Sequence, residues 1–188
     1  GGILSSGKGV NLPGTKLTLS ALTEKDHRDL AWLVQRDFDY VALSFVRRPE
    51  DIQALRDRLG ELKADLHIVA KIEKPQALQN LEPIVEASDA VMVARGDLGV
   101  EMSLPAVPVA QKMITALCHR LGKPCIVATQ TLESMIQSPT PTRAEVSDVA
   151  NAVFDGADAV MLSGETAVGK FPAESVAMMN RVVEDIQA

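Results

Sequence analysis

The sequence predicts an α/β fold in which a parallel β-sheet is built from strands that are each followed by a helix. Five short apolar runs of strand length recur along the chain, and helical spacing of apolar residues follows each of them. The runs are nearly continuous in apolar character rather than alternating, as in strands covered on both faces. A succession of β-then-α units implies parallel pairing through right-handed crossovers.

The elements follow in order. Residues 1–14 are rich in Gly and Ser without a clear period and read as loop or linker, with room for a short edge strand. Thr23 and Asp26 form a Thr-x-x-Asp helix start, and Leu30, Leu33 and Val34 follow at helical spacing. Residues 40–45 form the first strand. Pro49 stands where a first helical turn begins, ahead of Ile52, Leu55, Leu59 and Leu62 on one face. Residues 68–73 are a strand, and residues 75–87 a helix with Leu78, Leu81, Ile84 and Val85 inward. Residues 90–94 are the third strand, followed by a helix marked by Val109, Met113, Ile114 and Leu117. Residues 124–129 are the fourth. Thr142 and Glu145 form a capping box before Val146, Val149, Ala150 and Val153, and Gly156 suits the stop. Residues 159–162 are the last strand, and Pro172 opens a helix carrying Val176, Met179, Val183 and Ile186. A doubly wound open sheet and part of a β/α barrel both fit. No strand-to-helix turn carries a dinucleotide or Walker-type phosphate loop, which weakens a dinucleotide-binding reading.

Composition bounds the function. The 188 residues suit one large domain or part of a larger protein. Apolar residues make up 46% and charged residues 23%, the balance of a folded globular chain rather than a disordered one. Acidic residues outnumber basic ones by 25 to 19, so a basic nucleic-acid surface is not expected. No apolar run approaches the roughly 18 residues of a membrane span, and no secretory signal is visible. Cys118 and Cys125 are too few for a disulfide framework, which points to a reducing, cytoplasmic setting. They read as buried small residues, and the seven methionines as core filler. His27, His67 and His119 show no zinc spacing. The chain opens at Gly1 without a methionine, which suits a fragment or a processed product.

Polar residues gather where the strands end. The five ends read Ser44-Phe45 with Arg47 beyond, Lys71-Ile72-Glu73, Ala94-Arg95-Gly96-Asp97, Thr129-Gln130, and Ser163-Gly164-Glu165-Thr166. In both architectures ligands bind beyond the carboxyl ends of the strands. Lys71 and Glu73, two residues apart on a strand, share a side. Asp97 leaves the neighbouring strand, about 5 Å away in a parallel sheet. Glu73 and Asp97 therefore suit one hard divalent cation, Mg2+ above all, with an anionic substrate completing its shell. Gly96 admits close backbone approach to that anion. Lys71 adds a point charge for a phosphoryl or enolate oxygen, and Thr129 suits a water or a substrate carboxylate. A lone Lys-x-Glu is also an ordinary surface pair, and an Asp after a strand an ordinary turn residue; the coincidence at adjacent strand ends favours a site. The Ser-Gly-Glu-Thr string is no nucleophile elbow and reads as a turn and helix start.

Longer strings carry a resemblance. Val-Ala-Lys-Ile-Glu-Lys (69–74), Val-Met-Val-Ala-Arg-Gly-Asp-Leu-Gly-Val-Glu (91–101), Ala-Thr-Gln-Thr-Leu-Glu-Ser-Met (128–135), Pro-Thr-Arg-Ala-Glu-Val-Ser-Asp-Val-Ala-Asn-Ala-Val (141–153) and Ala-Val-Met-Leu-Ser-Gly-Glu-Thr-Ala (159–167) resemble the signatures of the pyruvate kinase family. The resemblance implies a partial TIM (β/α)8 barrel, with strands four to eight and their helices over 15–188. Residues 1–14 would then be the return from the family's inserted lid domain. It implies phosphoryl transfer from phosphoenolpyruvate to ADP, giving pyruvate and ATP, with Mg2+ and usually K+, in a cytoplasmic homo-oligomer, usually a tetramer. It assigns Lys71 to the transferring phosphoryl group and enolate, and Glu73 and Asp97 to Mg2+. Ala94, Arg95 and Gly96 become the backbone cradle of the substrate carboxylate, and Thr129 completes that pocket. The family's first three strands, with its phosphate-gripping arginine and K+ ligands, have no counterpart here, so these 188 residues alone are expected to lack turnover. The rival readings are another Mg2+-dependent barrel enzyme acting on a 2-oxo acid enolate, and a non-catalytic barrel fragment.

Overall fold

The structure, a computed structural model, describes residues 20–188; the segment 1–14, expected to be a lid return, lies outside them. The helices and strands alternate along the chain. Helix α1 (Glu24–Leu33) precedes β1 (Tyr40–Leu43), α2 (Pro49–Glu61) and β2 (His67–Ile72). Helices α3 (Pro75–Gln79) and α4 (Leu81–Ala87) lead to β3 (Ala90–Ala94), α5 (Arg95–Glu101) and α6 (Ala106–Leu121). Strand β4 (Cys125–Ala128) runs into a 3-10 turn (Glu133–Ile136) and α7 (Arg143–Phe154). Strand β5 (Ala159–Met161), α8 (Gly164–Ala167) and α9 (Pro172–Gln187) complete the chain.

All four ladders are parallel and the strand order is β1-β2-β3-β4-β5. That order separates the two architectures. A doubly wound sheet reverses its strand order and places helices on both faces. Sequential strands joined by right-handed crossovers put the crossover helices on one face, as in a barrel wall. The core agrees with this. Ile68, Ala70 and Ile72 of β2, Val91 and Val93 of β3, and Cys125 and Val127 of β4 are buried with Ile52, Leu55, Ile84, Val85, Ile114 and Cys118 from the helices. The alternate residues, among them Val69 and Lys71 of β2 and Met92 of β3, point to the opposite face.

Local chemistry sets the element ends. Thr23 and Thr142 accept from the backbone N–H of Asp26 and Glu145, whose carboxylates bond back to the cap residues. Pro49 and Pro172 sit in the first turns of α2 and α9. Gly156, at φ 90°, follows the end of α7. At the amino edge of the sheet, Asp89 accepts from Ile68 N (2.7 Å) and Asp158 from Cys125 N (2.8 Å). Each aspartate thus stitches the start of one strand to the turn before the next.

Several expectations are refined. The helix expected over 75–87 is two helices, because Asn80 at φ −120°, ψ 27° breaks it. Strands expected to reach Phe45, Glu73 and Thr129 stop at Leu43, Ile72 and Ala128. Residues 95–97, read as a strand end, open a helix. The methionines are mixed: Met135 and Met179 are buried, whereas Met113 is exposed.

Candidate active site at the carboxyl edge of the sheet

The sequence-predicted residues all lie at one edge, and the backbone there is unusual. Among the described residues four other than glycine have positive φ, and three of these lie within two residues of a strand end at this edge: Phe45 (56°) after β1, and Thr129 (70°) and Gln130 (52°) after β4. Such conformations persist only where surrounding contacts hold them, and they collect at functional sites.

The β1 and β2 exits form one cluster. Glu73 is only 1% exposed, and both carboxylate oxygens are engaged. Oε1 lies 2.6 Å from Lys71 Nζ, and Oε2 accepts the Phe45 N–H at 2.6 Å. The left-handed turn at Phe45 is what aims that N–H at Glu73. Lys71 Nζ also donates to Ser44 Oγ at 3.1 Å, which leaves one of its three protons for an incoming oxygen. Beside this cluster, Lys74 Nζ pairs with Glu101 Oε1 at 2.5 Å and sits 5.4 Å over the centroid of the Phe45 ring.

The β3 and β4 exits form a second cluster. Gly96 N–H donates to Thr129 Oγ1 at 2.8 Å. A Cβ at Gly96 would lie 3.2 Å from that oxygen, a tight contact that a side chain there would make only by pushing Thr129 back. The backbone cradle expected here is therefore partly engaged: the Gly96 amide is bonded to Thr129. With one lone pair so occupied, the Thr129 hydroxyl proton is free to donate outward. The Arg95 side chain is spent on protein groups, bracing the turn after β4 and pairing with Asp148. Its Nη2 donates to Thr129 O (2.8 Å) and Gln130 O (3.2 Å), and its Nη1 to both oxygens of Asp148 (2.7 and 2.8 Å). Ala94, the last residue of β3, is buried and pairs with Ala128.

Asp97 sits in the first turn of α5, where a carboxylate suits the helix dipole. It is exposed, and among the described residues no hydrogen bond or ion pair engages it. Ile72 pairs with Val93, so Glu73 stands beside Ala94 and Asp97 lies one helical turn further along. Among the described residues no group of three or more His, Cys, Asp or Glu side chains is gathered for a metal. A cation held here would have two hard carboxylates, Glu73 and Asp97, with water and substrate oxygen to complete its shell, a donor set of the kind that suits Mg2+.

Sequence reasoning missed Glu165. This glutamate is fully buried, and its Oε1 accepts from Thr131 Oγ1 (3.1 Å) and Leu132 N (3.0 Å) while Oε2 accepts from Ser163 N (2.8 Å). It ties the β4 exit to the β5 exit. Burial alone would raise its pKa, but the backbone and threonine bonds outweigh that and hold it below the usual 4.5. The signal lay in the Ser-Gly-Glu-Thr string after a strand. Cys118 and Cys125 are buried, and contact with Cys118 followed by burial pushes the Cys125 thiol up, away from nucleophilic chemistry. A separate cavity of about 680 Å³ opens between α5, α6 and α7. It touches Arg95 and Gly96 but not Lys71, Glu73, Asp97 or Thr129. No helix of the described residues is long and apolar enough to cross a membrane.

A one-sided β/α sheet with charged groups at its carboxyl edge defines the wall of a β/α-barrel enzyme. Residues 1–176 match the family model of the pyruvate kinase barrel domain. The chain is 53% identical to pyruvate kinase 2 of Synechocystis sp. over 187 residues, covering 100% of the chain and 32% of that relative. It is 56% identical to the pyruvate kinase of Methylorubrum extorquens (100% of the chain, 38% of the relative) and 47% identical to that of Methanocaldococcus jannaschii (98% and 41%). The chain belongs to the pyruvate kinase family, and it spans about a third to two fifths of the length of these relatives.

Proposed function

We propose that the intact protein transfers the phosphoryl group of phosphoenolpyruvate to ADP, giving pyruvate and ATP. In this reading Glu73 and Asp97 hold Mg2+, K+ accompanies it on ligands outside these 188 residues, and the protein works as a cytoplasmic homo-oligomer, a tetramer as in the parent family. The observation that carries the reading is the Lys71 ammonium, held 2.6 Å from Glu73 and 3.1 Å from Ser44 at the carboxyl edge with one proton uncommitted.

Phosphoryl transfer needs positioning and neutralisation of charge more than covalent help. The bond from phosphorus to the enol oxygen breaks, a bond to a terminal ADP oxygen forms, and the enolate takes a proton at carbon to become pyruvate. Mg2+, when bound, supplies Lewis-acid charge against the phosphoryl and enolate oxygens. Lys71 contributes a fixed positive charge at the oxygen where the electron pair collects. The Thr129 hydroxyl, which accepts from Gly96 and keeps its own proton uncommitted, suits a substrate carboxylate oxygen, and the Arg95 brace holds the backbone at Thr129, which is left-handed.

Lys71→Met tests this. A coupled assay on the intact protein should show kcat about 10²–10³-fold lower, the usual loss for a charge-stabilising donor. Near wild-type turnover in that variant would overturn the reading. Pyruvate release that does not require ADP would point instead to a lyase or aldolase acting on an enolate. The isolated 188 residues should give no phosphoenolpyruvate-dependent ATP, since the phosphate grip is not among them.

A further inference from the structure

We infer that Lys74 is a positioning residue which sets the separation of Glu73 and Asp97, and thereby the geometry offered to a divalent cation; this rests on reading those two carboxylates as the cation pair. The juxtaposition is specific. Lys74 directly follows Glu73. Its ammonium pairs at 2.5 Å with Glu101, the last residue of α5, and Asp97 lies one turn earlier on the same short helix. The same ammonium lies over the Phe45 ring, within the roughly 6 Å reach of a cation–π contact, and Phe45 N–H bonds Glu73 Oε2. One charge thus touches the three segments that fix the carboxylates: the β2 exit, α5 and the β1 exit.

Two further observations favour positioning over general packing. Helix α5 packs chiefly against α6 and β4. Among the described residues, the side-chain tie from the β2 exit to α5 is this ion pair. The pair is also well shielded, with side-chain exposures of 19% for Lys74 and 5% for Glu101. A shielded pair holds its geometry better than a solvated one and is screened less by salt. Mg2+ demands near-ideal octahedral geometry at short range, whereas Ca2+ tolerates a flexible shell. A clamp on the carboxylate separation should therefore matter more for Mg2+ than for Ca2+, a distinction that general loosening would not make.

The test is cation binding without turnover. Mn2+ alone is titrated into the intact protein by electron paramagnetic resonance, with Mg2+ and Ca2+ as competitors and far-UV circular dichroism as the check of folding. Lys74→Met and Glu101→Gln should each weaken Mn2+ and Mg2+ binding about tenfold, equivalent to ~1.4 kcal/mol. Ca2+ should weaken less, and Lys74→Arg should retain most of the binding. Wild-type affinity in the folded Lys74→Met and Glu101→Gln variants overturns the inference. So does an equal loss for Mg2+ and Ca2+, or an arginine variant as weak as the methionine one. If Lys74→Met does not fold, Glu101→Gln and Lys74→Arg decide on the same criteria. Glu73→Gln and Asp97→Asn separate the two levels. If they leave Mn2+ binding unchanged, the cation-pair reading itself fails; if they abolish it while the clamp variants bind normally, only the clamp fails.

Discussion

Replacing Glu165 by alanine should destabilise the protein by about 4 kcal/mol, as follows from its partners. The side chain is fully buried and accepts three bonds. The Thr131 hydroxyl has a second acceptor in Met161 O at 3.1 Å, so it loses little. The amides of Leu132 and Ser163 have no such substitute, and each buried orphan costs about 1–3 kcal/mol. Glu165→Gln keeps the shape, but its amide NH2 must face one of those N–H donors, so the cost falls to about 2 kcal/mol. The order of stability is wild type, Gln, then Ala. Equilibrium urea unfolding of the three proteins in parallel measures it. An alanine variant within about 0.5 kcal/mol of wild type, the range of an ordinary surface substitution, would refute the reasoning.

Two other outcomes are expected. Burial alone would raise the Asp89 pKa, but the Ile68 N–H and the Arg56 guanidinium outweigh it and hold it below 3.8. A depressed folded-state pKa gives stability that is present above the unfolded value and lost as the pH falls through the folded one. Asp89→Asn should therefore flatten the stability–pH curve on the acid side below about pH 4, read from urea midpoints across that range; an unchanged acid limb would contradict the assignment. Arg95→Lys cannot reproduce the forked grip on Thr129, Gln130 and Asp148, and, under the proposed function, should lower kcat/KM of the intact protein for phosphoenolpyruvate about 10–100-fold; a change under twofold would show that the brace does not serve the site.

Much of the architecture was legible because short-range chemistry dictates it. The Thr23–Asp26 and Thr142–Glu145 boxes, the prolines at 49 and 172 and the stop at Gly156 act within a turn or two of themselves. The grouping of Lys71, Glu73, Asp97 and Thr129 at one edge was legible because strand ends in a parallel sheet must coincide. Helix orientation was less so. Val109 and Met113 marked this helix together with Ile114 and Leu117, yet they are 68% and 45% exposed, while Ala110, Ile114, Leu117 and Cys118 form its buried side. Helical period identifies apolar stripes; where two compete, only the packed partner chooses between them. The contacts missed altogether join residues far apart in the chain: Glu165 to Leu132, Lys74 to Glu101, Arg95 to Asp148. No local pattern encodes such pairs, although every one of these residues lies within the family-like strings.

The strictly consecutive strand order bears on how the chain assembles. Tyr40 pairs with His67, Val69 with Ala90, Val91 with Cys125 and Ile126 with Ala159, so each ladder closes a loop of only about 20–35 residues. The closure penalty grows as the logarithm of loop length, and across this range it varies by only ~0.4 kcal/mol. Every ladder thus starts from nearly the same entropic footing, and none waits for a distant partner. During synthesis each β/α unit finds its neighbour already emerged, so the sheet is able to grow vectorially from β1 toward β5.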